Sequence, residues 1–221
     1  MKPACGTALY CALFLLIIES CAPSGINTAP YQSVLNCADA AYSEAGRVNH
    51  IKFCVLGEPG SKYGNVVAAY KTVPSGEFKR VFMDQDHGIK PWKVAVCELD
   101  GDPLPEVAVA VYKPARYFPE PDNRLHIYDW MGESLAPKWL GSRLALPFID
   151  FVFIPGDDLT DRLVALEHLH EREFYLRMYK WNGFGFTGEA DPIQVGSREE
   201  GLNVLQSLLK GRSWSSLNER K

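Results

Sequence analysis

The feature that most limits what this chain can fold into is a strand–turn–strand unit that occurs more than once. Its clearest copy begins with the extended run from Trp92 through Val94, Val96 and Cys97 to Leu99. It turns at Asp100-Gly101-Asp102-Pro103-Leu104-Pro105 and resumes as Glu106-Val107-Ala108-Val109-Ala110-Val111-Tyr112. The β-branched residues favour extended backbone, and Asp-Gly supplies the positive φ that a tight turn requires. A Pro-rich loop over 114–121 leads into a third strand from Arg124 to Trp130, and Met131-Gly132 turns the chain into a fourth near Leu135.

The same order returns downstream. Ile149 to Ile154 reads as a strand, Pro155-Gly156-Asp157-Asp158 as a turn, and Arg162 to Leu166 as a second strand. Phe174 to Trp181 follows as a third, then an Asn182-Gly183 turn into Phe184 and Phe186. Gly101 aligns with Gly156, and Gly132 with Gly183. A weaker copy lies upstream through Val34 and Cys37, Ile51 to Val55, Asn65 to Tyr70, and a Ser75-Gly76 turn into Phe78 and Val81. Units recurring about every 50 to 60 residues, each too small to bury both faces of its own sheet, imply sheets laid side by side. The units fall at about 31–85, 90–145 and 146–188, within a β-repeat domain over 31–188. Residues 189–221 break the pattern. Ser197-Arg198-Glu199-Glu200 reads as a capping box, and Leu202, Leu205, Leu208 and Leu209 follow at helical spacing until Gly211, so this tail is predicted to cap an exposed sheet edge.

The nine residues Glu98-Leu99-Asp100-Gly101-Asp102-Pro103-Leu104-Pro105-Glu106 resemble the acidic turn of FG-GAP/VCBS β-propeller repeats, with Glu98 where Asp is usual and Pro103 where Gly is usual. The Tyr128-Asp129-Trp130-Met131-Gly132 and Tyr179-Lys180-Trp181-Asn182-Gly183 segments are similar to the third strand and hairpin of such blades. The resemblance implies an all-β fold of three β-propeller-like four-stranded repeats, a partial or small propeller, with a short C-terminal α-helix. Closed propellers usually have about four to eight blades. Three are countable here, so a compact stack and closure through a second chain stay open. The resemblance also implies a calcium loop. Glu98, Asp100, Asp102 and Glu106 would supply carboxylates and Leu104 its carbonyl, all hard oxygen ligands suited to Ca²⁺. The alternative is a solvated turn whose Asp and Gly residues serve backbone geometry. The equivalent turn downstream keeps Asp157, Asp158 and Asp161 but has Phe153 and Pro155 at two ligand positions.

The N-terminus carries an address. Lys2 precedes an apolar run over 8–18, of signal-peptide length and too short to span a bilayer of about 30 Å. Ile18-Glu19-Ser20-Cys21 resembles a bacterial lipobox, which implies a signal peptide over 1–20, acylation of Cys21 and a Pro/Gly/Ser-rich tether over 21–30. The expected location is extracytoplasmic, lipid-anchored to a bacterial membrane, with secretion as the alternative. Cys37, Cys54 and Cys97 then remain in the mature domain. One disulfide among them and three buried thiols both stay open. No Cys-x-x-Cys or His-x-x-x-His spacing suggests zinc.

A net charge of −4 on 221 residues gives no basic surplus, which argues against nucleic acid as a partner. There is no Gly-x-Ser-x-Gly elbow, His-Glu-x-x-His helix, phosphate-cradling loop or dinucleotide fingerprint, so no catalytic residue is assigned. His168 and His170 would share a face of a strand. Trp92, Trp130, Trp139 and Trp181 are expected to pack between sheets rather than form a sugar platform. Asp157 with Glu167 or Asp161 is the acid/base couple that could be nominated. The leading expectation is a cell-surface lipoprotein acting as a non-catalytic β-repeat binding or assembly module. It would engage the membrane through its lipid and a protein or glycan through its fold, with self-association open. An envelope hydrolase acting on glycans, with a carboxylate pair beside Trp130 or Trp181, is the alternative.

Overall fold

A computed structural model describes residues 33–218 except 45, 74, 85–88 and 142. The expected signal segment, the tether and Cys21 lie outside the described residues. Three antiparallel sheets follow one another along the chain. The first contains β1 (Ser33–Glu44), β2 (Arg47–Gly57), β3 (Val66–Thr72) and β4 (Phe78–Asp84). The second contains β5 (Pro91–Cys97), β6 (Glu106–Ala115), β7 (Phe118–Trp130) and β8 (Leu135–Leu140). The third contains β9 (Phe148–Pro155), β10 (Asp161–His170), β11 (Glu173–Trp181) and β12 (Phe186–Gly188), each strand pairing with its sequence neighbour. The architecture is therefore the expected all-β one of three blade-like sheets.

Alternation along the strands explains why the sheets stack. In β6, Val107, Val109 and Val111 face the first sheet, where they meet Phe53, Val55, Val67 and Ala69. Ala108 and Ala110 face the third, against Phe148, Phe151, Leu163 and Ala165. A strand with both faces covered reads as a near-continuous apolar run, and the small alanines leave room for the aromatic residues opposite. Trp130 is fully buried in the interface of the first two sheets, edge-on to Phe53 at 5.2 Å. Trp139, Trp181 and Phe186 form a second edge-on group with centroids 5.3 to 6.4 Å apart.

Polar contacts fasten the leading strands. Asn36, at a register shift in β1, accepts the Val94 N–H of β5 at 2.7 Å. Lys93 of β5 donates to Asp150 Oδ1 and to the Phe151 carbonyl of β9, both at 2.6 Å. Cys37 and Cys54 face each other across β1 and β2 and form a disulfide, while Cys97 is a buried free thiol. The third β-hairpin of each sheet turns on a glycine at positive φ: Gly76 (83°), Gly132 (86°) and Gly183 (90°).

The structure corrects the sequence reading in three places. The helix α1 (Arg198–Leu209) has the expected cap, with Ser197 Oγ accepting the Glu200 N–H at 3.1 Å. It lies on the outer face of the third sheet, however, and not on an edge: Leu205 and Leu208 pack with Val152, Val164, Leu166 and Leu176, joined by Trp214 and by Leu217 of α2 (Ser215–Asn218). Both faces of β10 are apolar, so an open face offered more surface to cover than an edge did. The tail also holds a short strand, β13 (Ile193–Val195), which pairs with the start of β11. Third, Gly101 and Gly156 are not equivalent. Gly101 takes φ +83°, whereas in the third sheet it is Leu159 that has positive φ, at 62°, and Gly156 makes room for Arg162.

Candidate functional site

The β5–β6 turn brings together part of the expected ligand set. One carboxylate oxygen each from Glu98, Asp100 and Glu106 lie within 4.8 Å of one another. The Asp102 carboxylate is not among them, because it accepts the Leu104 N–H at 2.7 Å. Backbone bonding engages the others too. Glu98 Oε1 accepts the Gly101 and Asp100 N–H groups at 2.6 and 3.2 Å, Asp100 Oδ1 accepts Asp102 N–H at 3.1 Å, and Glu106 Oε2 accepts Leu99 N–H at 2.8 Å. Short acidic side chains folding back on their own backbone are what fix a turn of this kind.

A residue that sequence reasoning missed completes the cluster. Lys138 of β8 places its Nζ 2.5 Å from Asp100 Oδ2, 2.6 Å from Glu106 Oε1 and 2.8 Å from Asp129 Oδ1. Three carboxylates thus use all three N–H donors of the ammonium. Partial burial opposes the charge, but the bonds to Asp100, Asp129 and Glu106 outweigh it and hold Lys138 protonated far above the ordinary lysine value. Ca²⁺ takes six to eight oxygens at about 2.3–2.6 Å. Here three of the four expected carboxylates converge, Asp102 is turned away, and the Lys138 ammonium stands among them. A lysine 38 residues from Asp100 carries no local signal of this role, since only the pairing of β7 with β8 brings it across.

The corresponding turn of the third sheet is balanced in the same way. Asp158 accepts from Thr160 Oγ1, Arg162 Nη1 and Lys180 Nζ at 2.6 to 2.8 Å, and these donors hold its carboxyl well below the usual range. Arg162 also reaches Glu189 at 2.6 Å. The two turns are joined: Asp161 N–H donates to the Glu98 carbonyl at 2.6 Å, and Asp161 Oδ2 accepts the Glu98 N–H at 3.0 Å. Glu167 lies toward the far end of β10 from Asp161, roughly 20 Å away at the rise of a strand. The nominated couple of Asp157 with Glu167 is therefore not assembled, and Asp161 is engaged in the turn joint.

A second feature lies at the opposite end of β5. There the second and third sheets part around a groove of about 570 Å³. Trp92 forms an aromatic wall, backed by the buried Phe148 at a ring-centroid distance of 6.2 Å, and Asp150, His168, Glu171 and Arg198 add charge and hydrogen-bonding capacity. Of the four tryptophans singled out, Trp92 alone lines this groove; Trp130 and Trp181 are buried in the sheet interfaces. His168 reaches the groove without His170, because the β10–β11 register shifts between them and breaks the alternation a shared face requires.

No family model matches the chain, and no curated relative is detected. Solved structures similar to it include two variants of an exo-β-1,3-galactanase from Phanerochaete chrysosporium with β-1,3-galactotriose. Both are 10% identical, with TM-scores of 0.48 and 0.47, and each match covers 72% of this chain and 38% of the galactanase chain. Likeness at this level carries nothing of that enzyme's chemistry to this chain.

Proposed function

We propose that this chain is an exported, lipid-anchored, non-catalytic binding module whose stacked sheets hold the groove between the second and third sheets open for a sugar-sized, hydroxyl-bearing ligand. One observation carries the reading: Glu167, Asp150 of the groove and the clustered acids of both turns are bound up in the architecture. Asp100, Glu106 and Asp129 share Lys138; Asp158 is held by Arg162 and Lys180; Glu167 is held by Arg177 and Tyr179; Asp150, on the groove itself, is held by Lys93 at 2.6 Å. A glycosidase needs two carboxylates free to exchange protons or attack across a cleft. A binding groove needs an aromatic wall with a few polar groups at fixed positions, which is what Trp92, backed by the buried Phe148, provides together with His168, Glu171 and Arg198.

The test is retention of the protein on a panel of immobilised neutral and acidic oligosaccharides, with wild type compared against Trp92→Ala. The reading expects at least one oligosaccharide to be retained, its retention to fall about tenfold or more in the variant, and no shortened products to appear. Retention of none, or release of products, contradicts it. The anchor is tested separately: Cys21→Ser should move the protein from the membrane to the soluble or secreted fraction, and an unchanged distribution rules the lipid out.

A further inference from the structure

The long β6–β7 hairpin extends past the end of β5, and beside its tip is a hollow of about 240 Å³ lined by Tyr117, Phe118, Glu120, Asp122, Arg124 and Arg143. Arg124 is 2% exposed, which is rare for a guanidinium without a close carboxylate partner. Its contacts are long. Nη1 reaches the Asn123 carbonyl at 3.4 Å and Asp122 Oδ2 at 3.6 Å, Nη2 reaches the Glu120 carbonyl at 3.3 Å, and the buried Nε has no partner. Arg143 approaches the same place. The two guanidinium carbons lie 5.8 and 5.0 Å from the centroid of the Phe118 ring. Two like charges converge on one ring where neither is closely neutralised, and the charge of Arg143 joins burial in working against that of Arg124.

We infer that this hollow is an anion subsite and that the group it takes is the carboxylate of an acidic sugar. An oxyanion between the guanidiniums would supply the close, charge-assisted bonds that Arg124 lacks. The hollow also presents Glu120 and Asp122, which would repel a polyanion, as would the net charge of −4. A single carboxylate on a hydroxylated ring meets both demands, because its hydroxyls can donate to the two acidic residues while its carboxylate meets the two arginines. Tyr117, 74% exposed, offers an aromatic face to the ring. Asp122 lines both this hollow and the groove at Trp92, so the inference rests on the groove reading above and names the kind of sugar residue at one end of its ligand.

The test titrates the purified full chain with methyl glucuronide, methyl glucoside, a hexaglutamate peptide and inorganic phosphate, followed by calorimetry and by amide NMR shifts. Wild type should bind the glucuronide about tenfold or more tightly than the glucoside, with shifts at 117–124 and 143–145. Arg143→Gln should erase that preference, bringing the affinity for the glucuronide down to that for the glucoside. Arg143 is the residue to change first, since Arg124→Gln alters a buried position; Arg124→Gln should also lose the preference wherever its spectrum remains folded. Equal binding of glucuronide and glucoside overturns the anion subsite and leaves the groove reading standing. Binding of the peptide or of phosphate in preference to the glucuronide overturns the acidic-sugar assignment. Binding of none of the four overturns the subsite, whereas the groove reading fails on the oligosaccharide panel, through retention of none, release of products, or retention unchanged in Trp92→Ala.

Discussion

Glu167 has no exposed surface, yet the residues around it are arranged to receive a carboxylate. Tyr179 donates to it through its hydroxyl and Arg177 Nε donates at 3.1 Å, while Ala145 N–H in turn donates to the Tyr179 oxygen at 3.0 Å. Burial pushes the Glu167 pKa above the ordinary glutamate value, against the pull of Tyr179 and Arg177. An acid whose folded pKa is raised binds its proton more tightly in the folded state. Its contribution to stability is therefore full below the unfolded value and is lost as pH rises through the folded one. Denaturant midpoints of wild type should fall relative to Glu167→Gln as pH is raised through that window, because glutamine cannot ionise. A constant difference between the two proteins across pH 4 to 8 would mean that Glu167 does not titrate there. Individual residues of this kind were the least legible from sequence. Glu167 reads as a polar residue near a strand end, and Lys138 does not show in one dimension that it meets partners brought together by strand pairing.

At the level of elements the reading from sequence goes further, and for a physical reason. Strand alternation and turn chemistry are local, so the Val-Ala alternation of β6 and the turn glycines Gly132 and Gly183 could be placed without knowing the fold. What covers an element is not local. The leucine spacing of 202–209 was enough to draw α1, but whether it lay on a face or an edge depended on the third sheet having a second apolar side. Gly201 shows how close that contact is: a Cβ there would lie 2.4 Å from Leu166 Cδ1. Gly201→Val should therefore destabilise the protein by about 1–3 kcal/mol through overpacking, more than its gain in helix propensity returns. Urea unfolding checks this. A midpoint at or above that of wild type would show that the helix is not seated on Leu166.

For the molecule as a whole, the order of three like units was legible because each repeats the same strand, turn and hairpin, and the acidic turn was the natural place to look for a site. Its residues could be located, but not their state of charge balance, since that depends on a lysine from the last strand of the same sheet. Glu98, Asp100 and Glu106 converge as the spacing suggested; Asp102 does not, and Lys138 stands among the carboxylates. On the proposed function, the fold neutralises its clustered acidic residues from within and leaves binding to its grooves. Thermal melting of wild type and Lys138→Met, each with and without millimolar Ca²⁺, tests this most directly. Wild type should melt at the same temperature in both conditions, and Lys138→Met should lose about 2 kcal/mol or more through its unpaired carboxylates. A wild-type midpoint that rises with Ca²⁺, or a variant as stable as wild type without it, would contradict the account.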